Sequence, residues 1–420
     1  MNQIETYEKL RIGILGFGTV GQATYRLIEE HKWRLSRIIR KLPIVVGASV
    51  RDIQKVRYQS KLKLCSNPWE LVNCPDVDLI IESMGGIDPA FLLIKKAIES
   101  GKGVVTANKE LIAKHGEELM QLASACEVPF LFEAAVGGGI PIVKALHLQL
   151  QGSQIARIDG IFNGTTNYIL TKMKKSGLNY SDALHQAQVA GFAESDPKND
   201  VEGFDTAYKI AILGWLSQRK PIDFRGIERE GITQITPLDH RLAEELQSII
   251  KLIGVFEIRP AGYGCRVRPM LVPLHHQYAS VDDEFNAVTV YGDFVGSITM
   301  VGKGAGGDPT ASSIVGDVIA SQLIISKMNW TFHDQQLSSD DWSLDHEWVG
   351  NYYIRFPETM RSIVRRQMSR EGIEITRTTK TIDENSAFVS SPVSEEKIHF
   401  ALDRMPHPYS SELIKWIPLL

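Results

Sequence analysis

Leu10-Arg11-Ile12-Gly13-Ile14-Leu15-Gly16-Phe17-Gly18-Thr19-Val20-Gly21 is a short apolar run that breaks into G-x-G-x-x-G. The run has the length of a buried strand, and a helical pattern follows the glycines, which is the context a dinucleotide fingerprint requires. Gly16 permits the tight turn, Gly18 lets backbone approach a pyrophosphate, and Gly21 lets the helix pack on the strand. A plain glycine-rich turn is the competing reading, and the position at the first strand–helix junction favours the nucleotide site. Gly16, Phe17, Gly18, Thr19, Val20 and Gly21 are therefore expected to touch a cofactor.

Downstream, Ile44–Ser49 reads as the next strand and ends in Val50-Arg51-Asp52. An acid at that strand end would take the ribose 2′-hydroxyl of NAD, whereas an arginine suits the 2′-phosphate of NADP. Arg51 comes first, with Lys55 and Arg57 behind it, so NADP is expected over NAD. Asp52 can still reach a ribose, and a solvated basic loop is the plain alternative. The basic segment His31–Leu42 extends the first helix or forms a loop. Strands at Asp78–Ser83, Gly103–Ala107 and Phe130–Ala135 then alternate with helices from Pro89 and from Lys109. That alternation argues a Rossmann-type, doubly wound parallel sheet in an α/β protein. Ligands bind beyond strand C-termini in such sheets, which singles out Ser83 and Thr106 as further cofactor contacts. Lys109 opens a helix, where a cation opposes the dipole, so a site role competes evenly with a surface role.

Glu133-Ala134-Ala135-Val136-Gly137-Gly138-Gly139-Ile140-Pro141 follows. Its three glycines allow either a ring of carbonyls around a hard cation or a hinge between domains. From Gln149 the pattern changes: a strand at Ile155–Phe162 leads to the hydroxyl-rich turn Asn163-Gly164-Thr165-Thr166-Asn167 and a helix from Tyr168. Strand-like runs at Arg266–Val272, Ala287–Tyr291 and Gly296–Val301 suggest a mixed sheet. The loop from Gly302 to Ser313 is again glycine-rich and runs into a helix, serving either an anion or a return to the first domain. Met328–His346 reads as a linker. Beyond it a β-α-β-β-α order suggests a small ferredoxin-like regulatory domain.

Gly191–Leu216 carries the densest chemistry. A loop with Glu194, Asp196, Asp200 and Glu202 precedes a helix that is apolar almost all round from about Asp205, hence buried. Asp205 and Lys209 sit one turn apart on one face, either as a cap with its ion pair or as a functional pair. Buried charges are costly unless paired or used.

The chain has 420 residues, 43% hydrophobic and 23% charged, with a net charge of −4. Length suggests two or three domains of about 100–200 residues each. The charge gives no reason to expect nucleic acid as a partner. No apolar run reaches the ~18 residues a membrane helix needs, and the N-terminal stretch does not read as a signal peptide. Cys65, Cys74, Cys126 and Cys265 show no metal spacing and no paired framework, so they read as reduced thiols and the compartment as the cytoplasm.

Taken together, the sequence resembles the homoserine dehydrogenases of the long form with a C-terminal ACT domain, from about Arg11 to Asp317. Five motifs carry the resemblance in order: G-F-G-T-V-G, T-A-N-K-E, E-A-A-V-G-G-G-I-P, N-G-T-T-N-Y-I-L and G-F-A-E-S-D-P-K-N-D-V-E-G-F-D-T-A-Y-K, closed by G-K-G-A-G-G-D-P-T-A-S-S. The resemblance implies NAD(P)-dependent interconversion of L-homoserine and L-aspartate 4-semialdehyde, on the route to threonine and methionine. It implies Lys209 as the proton donor and acceptor, Glu194 and Asp205 as substrate-holding residues with Asp200 beside them, and Lys109 as a second active-site lysine next to the nicotinamide. The carbonyls of Glu133, Val136, Gly138 and Ile140 resemble a sodium site, and Gly304 a late cofactor contact. The chemistry suits these residue types, because an ammonium supplies both charge and proton where hydride transfer builds an oxyanion. Two lysines facing one pocket would also depress each other's pKa.

The implied organisation is a nucleotide-binding domain over 1–136 to which 302–327 returns, and a catalytic and dimerisation domain over 137–301. A linker over 328–346 and an ACT-like domain over 347–420 complete it, in a homodimer or homotetramer. The ACT turn Arg355-Phe356-Pro357-Glu358-Thr359-Met360 lacks the glycine that usually follows the proline, and Lys303 is a smaller departure. Threonine feedback follows as a hypothesis, removed if saturating threonine changes neither activity nor melting temperature. Two rivals remain: a non-catalytic NADP-binding sensor, which the retained Glu194, Asp205 and Lys209 oppose, and a cysteine-dependent aldehyde dehydrogenase, for which no cysteine sits in an activated turn.

Overall fold

The computed structural model describes residues 7–55, 62–260, 262–323, 342–405 and 414–420. Arg57 and most of the expected linker lie outside the described residues. Two compact units result: the described parts of Met1–Gln154, Ala211–Phe224 and Gly302–Leu337, and those of Ile155–Ile210, Arg225–Val301 and Ser338–Leu420.

The first unit holds six parallel strands, β1 (Glu8–Leu15), β2 (Lys41–Ser49), β3 (Leu64–Cys65), β4 (Leu79–Glu82), β5 (Gly103–Thr106) and β6 (Phe130–Leu131), in the order β3-β2-β1-β4-β5-β6. The strand order reverses direction at β1, and the Gly16–Gly21 loop leaves the C-terminal end of that strand. Ligands of doubly wound sheets bind at such a switch point. The central strands β4 and β5 are short and wholly buried, as parallel strands covered on both faces must be. Helix Thr19–Glu30 packs on the sheet beside helix Gly307–Gln322, whose Ile314, Val315 and Val318 join Ile12, Ile14 and Ile28 in one apolar core. His31–Leu42 is neither an extended first helix nor a loop. Arg40 in the left-handed region ends a separate helix, Lys32–Ile39, and β2 begins at once. The expected strand to Ala135 stops at Leu131, because Glu133–Ala135 wind into a 3-10 turn.

The second unit is built on a mixed sheet of β7 (Ile155–Ile161), β8 (Glu228–Arg229), β9 (Ser248–Arg259), β10 (Gly262–Pro273), β11 (Phe285–Gly292), β12 (Gly296–Lys303) and β13 (Ser343–Leu344). The order is β12-β11-β7-β9-β10-β13, with β8 also on β10. Strand β9 was not anticipated, although it is the centre of the sheet. The end of the expected linker is itself strand β13, paired with Gly262 and Tyr263. Asn163 caps helix Gly164–Ser176 by accepting from the Thr166 amide, so the hydroxyl-rich turn is the first helical turn.

Strands β14 (Val349–Gly350), β15 (Tyr352–Pro357), β16 (Ile375–Thr378), β17 (Asn385–Ser390), β18 (Val393–Ser394) and β19 (Lys415–Pro418) complete the chain. Four of them form an antiparallel sheet in the order β16-β17-β15-β19, with helices Arg361–Arg370 and Glu395–Asp403 between them in sequence. β19 was not anticipated. This module is fastened to the mixed sheet by buried ions. Glu395 accepts from Arg266 at 3.0 Å and also from Arg268, while the two guanidinium carbons lie 3.8 and 4.2 Å from the ring centroids of Trp348 and Trp416. Arg355 donates to Asp239 at 2.8 Å, and Asp239 is also the second half of the capping box that starts helix Pro237–Glu245.

Beside that box, His240 is 7% exposed, and neither ring nitrogen has a hydrogen-bond partner among the described residues. Burial pushes its pKa down to about 4, opposed by Asp239 and reinforced by Lys174, Lys251 and Lys415. The folded pKa is the lower one, so the unfolded chain binds more protons between pH 6.5 and about 4, and stability falls as pH drops through that window. At about 1.4 kcal/mol per pKa unit, the wild-type protein should lose on the order of 3 kcal/mol more than His240→Phe across it. Urea unfolding of both proteins through that range checks this, and equal losses would refute it.

Candidate active site

Gly16, Phe17, Gly18 and Gln22 line one side of a cleft of about 460 Å³, with Ser49, Val50, Arg51 and Asp52, then Ser66 and Pro68, and finally Ser83 and Met84 around it. Gly16 has φ +91°, and a Cβ there would lie 2.8 Å from the Ser83 carbonyl oxygen. At Gly21 a Cβ would lie 2.1 Å from the Gly16 carbonyl oxygen, whereas at Gly18 it would meet nothing within 4 Å. Gly18 precedes helix Thr19–Glu30 with no side-chain bond to its first amides and no acid in its first turn. Those amides are the donors a helix start offers to an anion, so the loop fits a pyrophosphate. Arg51 lines the cleft and is exposed, while the Asp52 carboxylate accepts from the Gln54 amide at 3.0 Å.

Gly16, Phe17, Gly18, Arg51 and Ser83 of the expected cofactor residues thus meet in one cleft. Thr19 is exposed, Val20 half-buried and Gly21 buried behind the turn. Thr106 is buried with its hydroxyl donated to Glu82 at 2.5 Å. Lys109 is half-buried at the start of helix Lys109–Ala125, which Asn108 caps. Neither Glu82 nor Asn108 was assigned a task from the sequence.

The glycine loop after β6 lies against the late loop. A Cβ on Gly138, at φ +56°, would fall 2.5 Å from the Gly304 carbonyl carbon, and the Gly138 carbonyl accepts from the Ser313 hydroxyl at 2.6 Å. Glu133 is buried; its backbone amide donates to Asp317 at 2.8 Å, and its carboxylate accepts from the Val143 and Lys144 amides, each at 2.9 Å. Desolvation, with Asp317 nearby, pushes its pKa up to about 7. The carbonyl oxygens expected to hold a cation, those of Glu133, Val136, Gly138 and Ile140, are donors of the type a hard cation takes, and a carbonyl that already accepts one hydrogen bond keeps a second lone pair.

In the second unit, Lys209 and Asp205 lie on the first half of helix Phe204–Gln218 and are 6% and 2% exposed. The Lys209 ammonium donates to Asp205 Oδ2 at 2.7 Å and to the Phe162 carbonyl at 2.6 Å. Asn163, from the end of β7, donates to the same Asp205 oxygen at 2.9 Å and to Asp200 Oδ1 at 2.7 Å. Asn286 donates to the Phe162 carbonyl at 2.8 Å. Asp200, Asp205 and Lys209 therefore form one constellation that Asn163 holds together. Glu194 stands on the exposed loop, outside these bonds, its backbone carbonyl accepting from Gln188.

Residues 141–319 match the family model described as homoserine dehydrogenase, and residues 16–133 match the one for the NAD binding domain of homoserine dehydrogenase. A homoserine dehydrogenase of Bacillus subtilis strain 168 is 40% identical over 313 residues, covering 74% of this chain and 72% of that protein. The chain belongs to the homoserine dehydrogenase family. Among solved structures, a homoserine dehydrogenase from Thiobacillus denitrificans superposes with a TM-score of 0.90 at 34% identity, over 99% of each chain. A hyperthermophilic archaeal homoserine dehydrogenase in complex with NADPH is also similar, with a TM-score of 0.63 at 30% identity over 74% of this chain and 97% of that one. As a family member the chain is an oxidoreductase that acts on the hydroxyl group of homoserine with a nicotinamide cofactor. Among the described residues no helix is long and apolar enough to cross a membrane.

Proposed function

We propose that this homoserine dehydrogenase interconverts L-homoserine and L-aspartate 4-semialdehyde with NADP, in the cytoplasm, on the route to threonine and methionine. The bound nicotinamide supplies or accepts the hydride. Lys209 gives its proton to the aldehyde oxygen in the reducing direction and takes the hydroxyl proton in the other. The buried Asp205–Lys209 pair carries this reading, because two hydrogen bonds donated to fixed acceptors, the Asp205 carboxylate and the Phe162 carbonyl, aim the lysine nitrogen. Asp200, Asp205 and Glu194 hold the substrate's own ammonium, and Lys109 serves as the second lysine, beside the nicotinamide. Arg51 takes the 2′-phosphate.

Steady-state oxidation of L-homoserine with NADP and NAD in parallel tests the reading. NADP should be preferred, and Arg51→Ala should cost NADP about tenfold in KM while leaving NAD unchanged, the usual worth of one charged hydrogen bond. No turnover with either cofactor, from protein that still binds NADPH, would favour the sensor.

Three finer features belong to the same proposal. The carbonyls of Glu133, Val136, Gly138 and Ile140 would hold a sodium ion whose charge rigidifies the loop. Residues 347–420 form a degenerate ACT-like domain, as the antiparallel order β16-β17-β15-β19 supports. In its turn the Glu358 carboxylate already accepts from Arg361 at 2.6 Å, from Thr381 at 3.0 Å and from Ser386, so an amino-acid effector meets a filled turn. Self-association as a homodimer or homotetramer is supported by edge strand β12, where Val301 is 57% exposed, and by Phe294 beside it, 90% exposed.

A further inference from the structure

Glu82 ends β4 and is fully buried, yet no cation pairs with it among the described residues; burial raises its pKa and hydrogen bonds oppose that rise. Its Oε1 accepts from the Met84 amide at 2.7 Å and the Gly85 amide at 3.2 Å, and its Oε2 from the Thr106 hydroxyl. The Thr106 oxygen in turn accepts from the Asn108 amide at 3.1 Å. The Asn108 side chain donates to the Gly86 carbonyl at 2.6 Å and accepts from the Leu111 amide at 3.2 Å. The bonds close a ring: Glu82, Thr106, Asn108, Gly86 and back along the chain to Glu82.

The ring joins the ends of two neighbouring strands. On one side it fixes the turn Met84-Gly85-Gly86, in which both glycines have φ +74°, and whose first residue lines the cleft. Ser83, just before it, donates to the Gly16 carbonyl at 2.8 Å and so ties the turn to the phosphate loop. On the other side it sets the first turn of the helix that Lys109 opens. In this sheet order the adenosine end of a dinucleotide lies over β2, so the nicotinamide end lies over β4 and β5. A buried carboxylate is an expensive way to brace a turn unless the placement matters.

We infer that Glu82 is a positioning residue, whose buried carboxylate sets the turn after β4 and the start of the Lys109 helix, and through them the place of the nicotinamide half of the cofactor. This rests on the reading of the cleft as an NADP site.

Glu82→Gln keeps the shape and breaks the bonding. If the amide nitrogen turns to Thr106, that hydroxyl already accepts from Asn108 and its own proton is stranded; if it turns the other way, it faces two amide donors. The test compares NADPH with adenosine 2′,5′-bisphosphate, which lacks the nicotinamide. The variant should bind the fragment as the wild-type protein does and bind NADPH about tenfold more weakly, as loss of a charged hydrogen bond implies. KM for NADP should rise and kcat fall, with KM for L-homoserine unchanged. Thr106→Val, which lacks the hydroxyl, should reproduce the split, and Thr106→Ser, which keeps it, should bind both ligands as the wild-type protein does, which keeps the test alive if Glu82→Gln does not fold. Equal weakening of both ligands, or of neither, overturns the inference. Wild-type protein that fails to bind NADPH would instead overturn the cofactor reading itself.

Discussion

Lys209→Met is expected to cut the turnover of L-homoserine by ~10²–10⁴, the usual contribution of a positioned general acid–base group, while NADPH binding stays unchanged. Methionine matches the lysine stem in length and has no proton to give. The ammonium it replaces is almost wholly buried and held between Asp205 at 2.7 Å and the Phe162 carbonyl at 2.6 Å, and the other donors to those acceptors, the Asn163 and Asn286 side-chain amides, have no acidic proton to give. Asp205 keeps the Asn163 amide at 2.9 Å in the variant, which limits the structural cost of stranding a buried carboxylate. The measurement is kcat and KM in both directions, with NADPH fluorescence titration as the control for the nucleotide unit. Turnover close to the wild-type value would move proton transfer to another group. A fall in kcat at unchanged substrate KM would show that the interaction is made in the transition state.

Removal of residues 347–420 is expected to leave a chain that aggregates or melts far below the full-length protein, because the C-terminal module is built into the mixed sheet by ions. Without Glu395, Arg266 and Arg268 lose the carboxylate they share, and without Arg355 the Asp239 carboxylate, whose side chain is 0% exposed, loses its cation. A buried ion stranded in this way costs ~3–5 kcal/mol, so two such sites approach the whole stability of an ordinary domain. Glu395→Gln isolates part of the effect and should cost on the order of 3 kcal/mol by itself. Thermal unfolding and gel filtration of the fragment and of the point variant give the readout. A monodisperse fragment with an unaltered melting temperature would show that the module is an appendage.

The nucleotide unit was legible because its signals are local. The first strand, the glycine loop and the helix start occupy adjacent residues, and Gly16 and Gly21 answer short-range steric demands that the structure places at 2.8 and 2.1 Å. The same holds for Asp205 and Lys209, one helical turn apart. What stayed hidden depends on residues far apart in the chain. The part Glu82 plays rests on Thr106, 24 residues away, and Asn163 meets Asp200 and Asp205 across 37 and 42 residues. No spacing rule reaches so far. Strand β9 was missed for another reason: its first nine residues are buried on both faces, so the two-residue alternation that marks a half-exposed strand is absent. The short β6 was overextended because Glu133 sits in an apolar run, and nothing local shows that its carboxylate caps the backbone of Val143 and Lys144.

The nucleotide unit's core has a consequence for how the protein is made. Ile12 and Ile14 share that core with Ile314, Val315 and Val318, about three hundred positions further along the chain. At ~5–20 residues per second, a ribosome needs roughly 15–60 s to supply the second set after the first. Through that interval the nascent strand–glycine–helix segment carries an uncovered apolar face, while strands β7 to β12 of the mixed sheet emerge. The nucleotide-binding unit, although its first strand is translated earliest, therefore closes only after most strands of the second unit's mixed sheet have emerged.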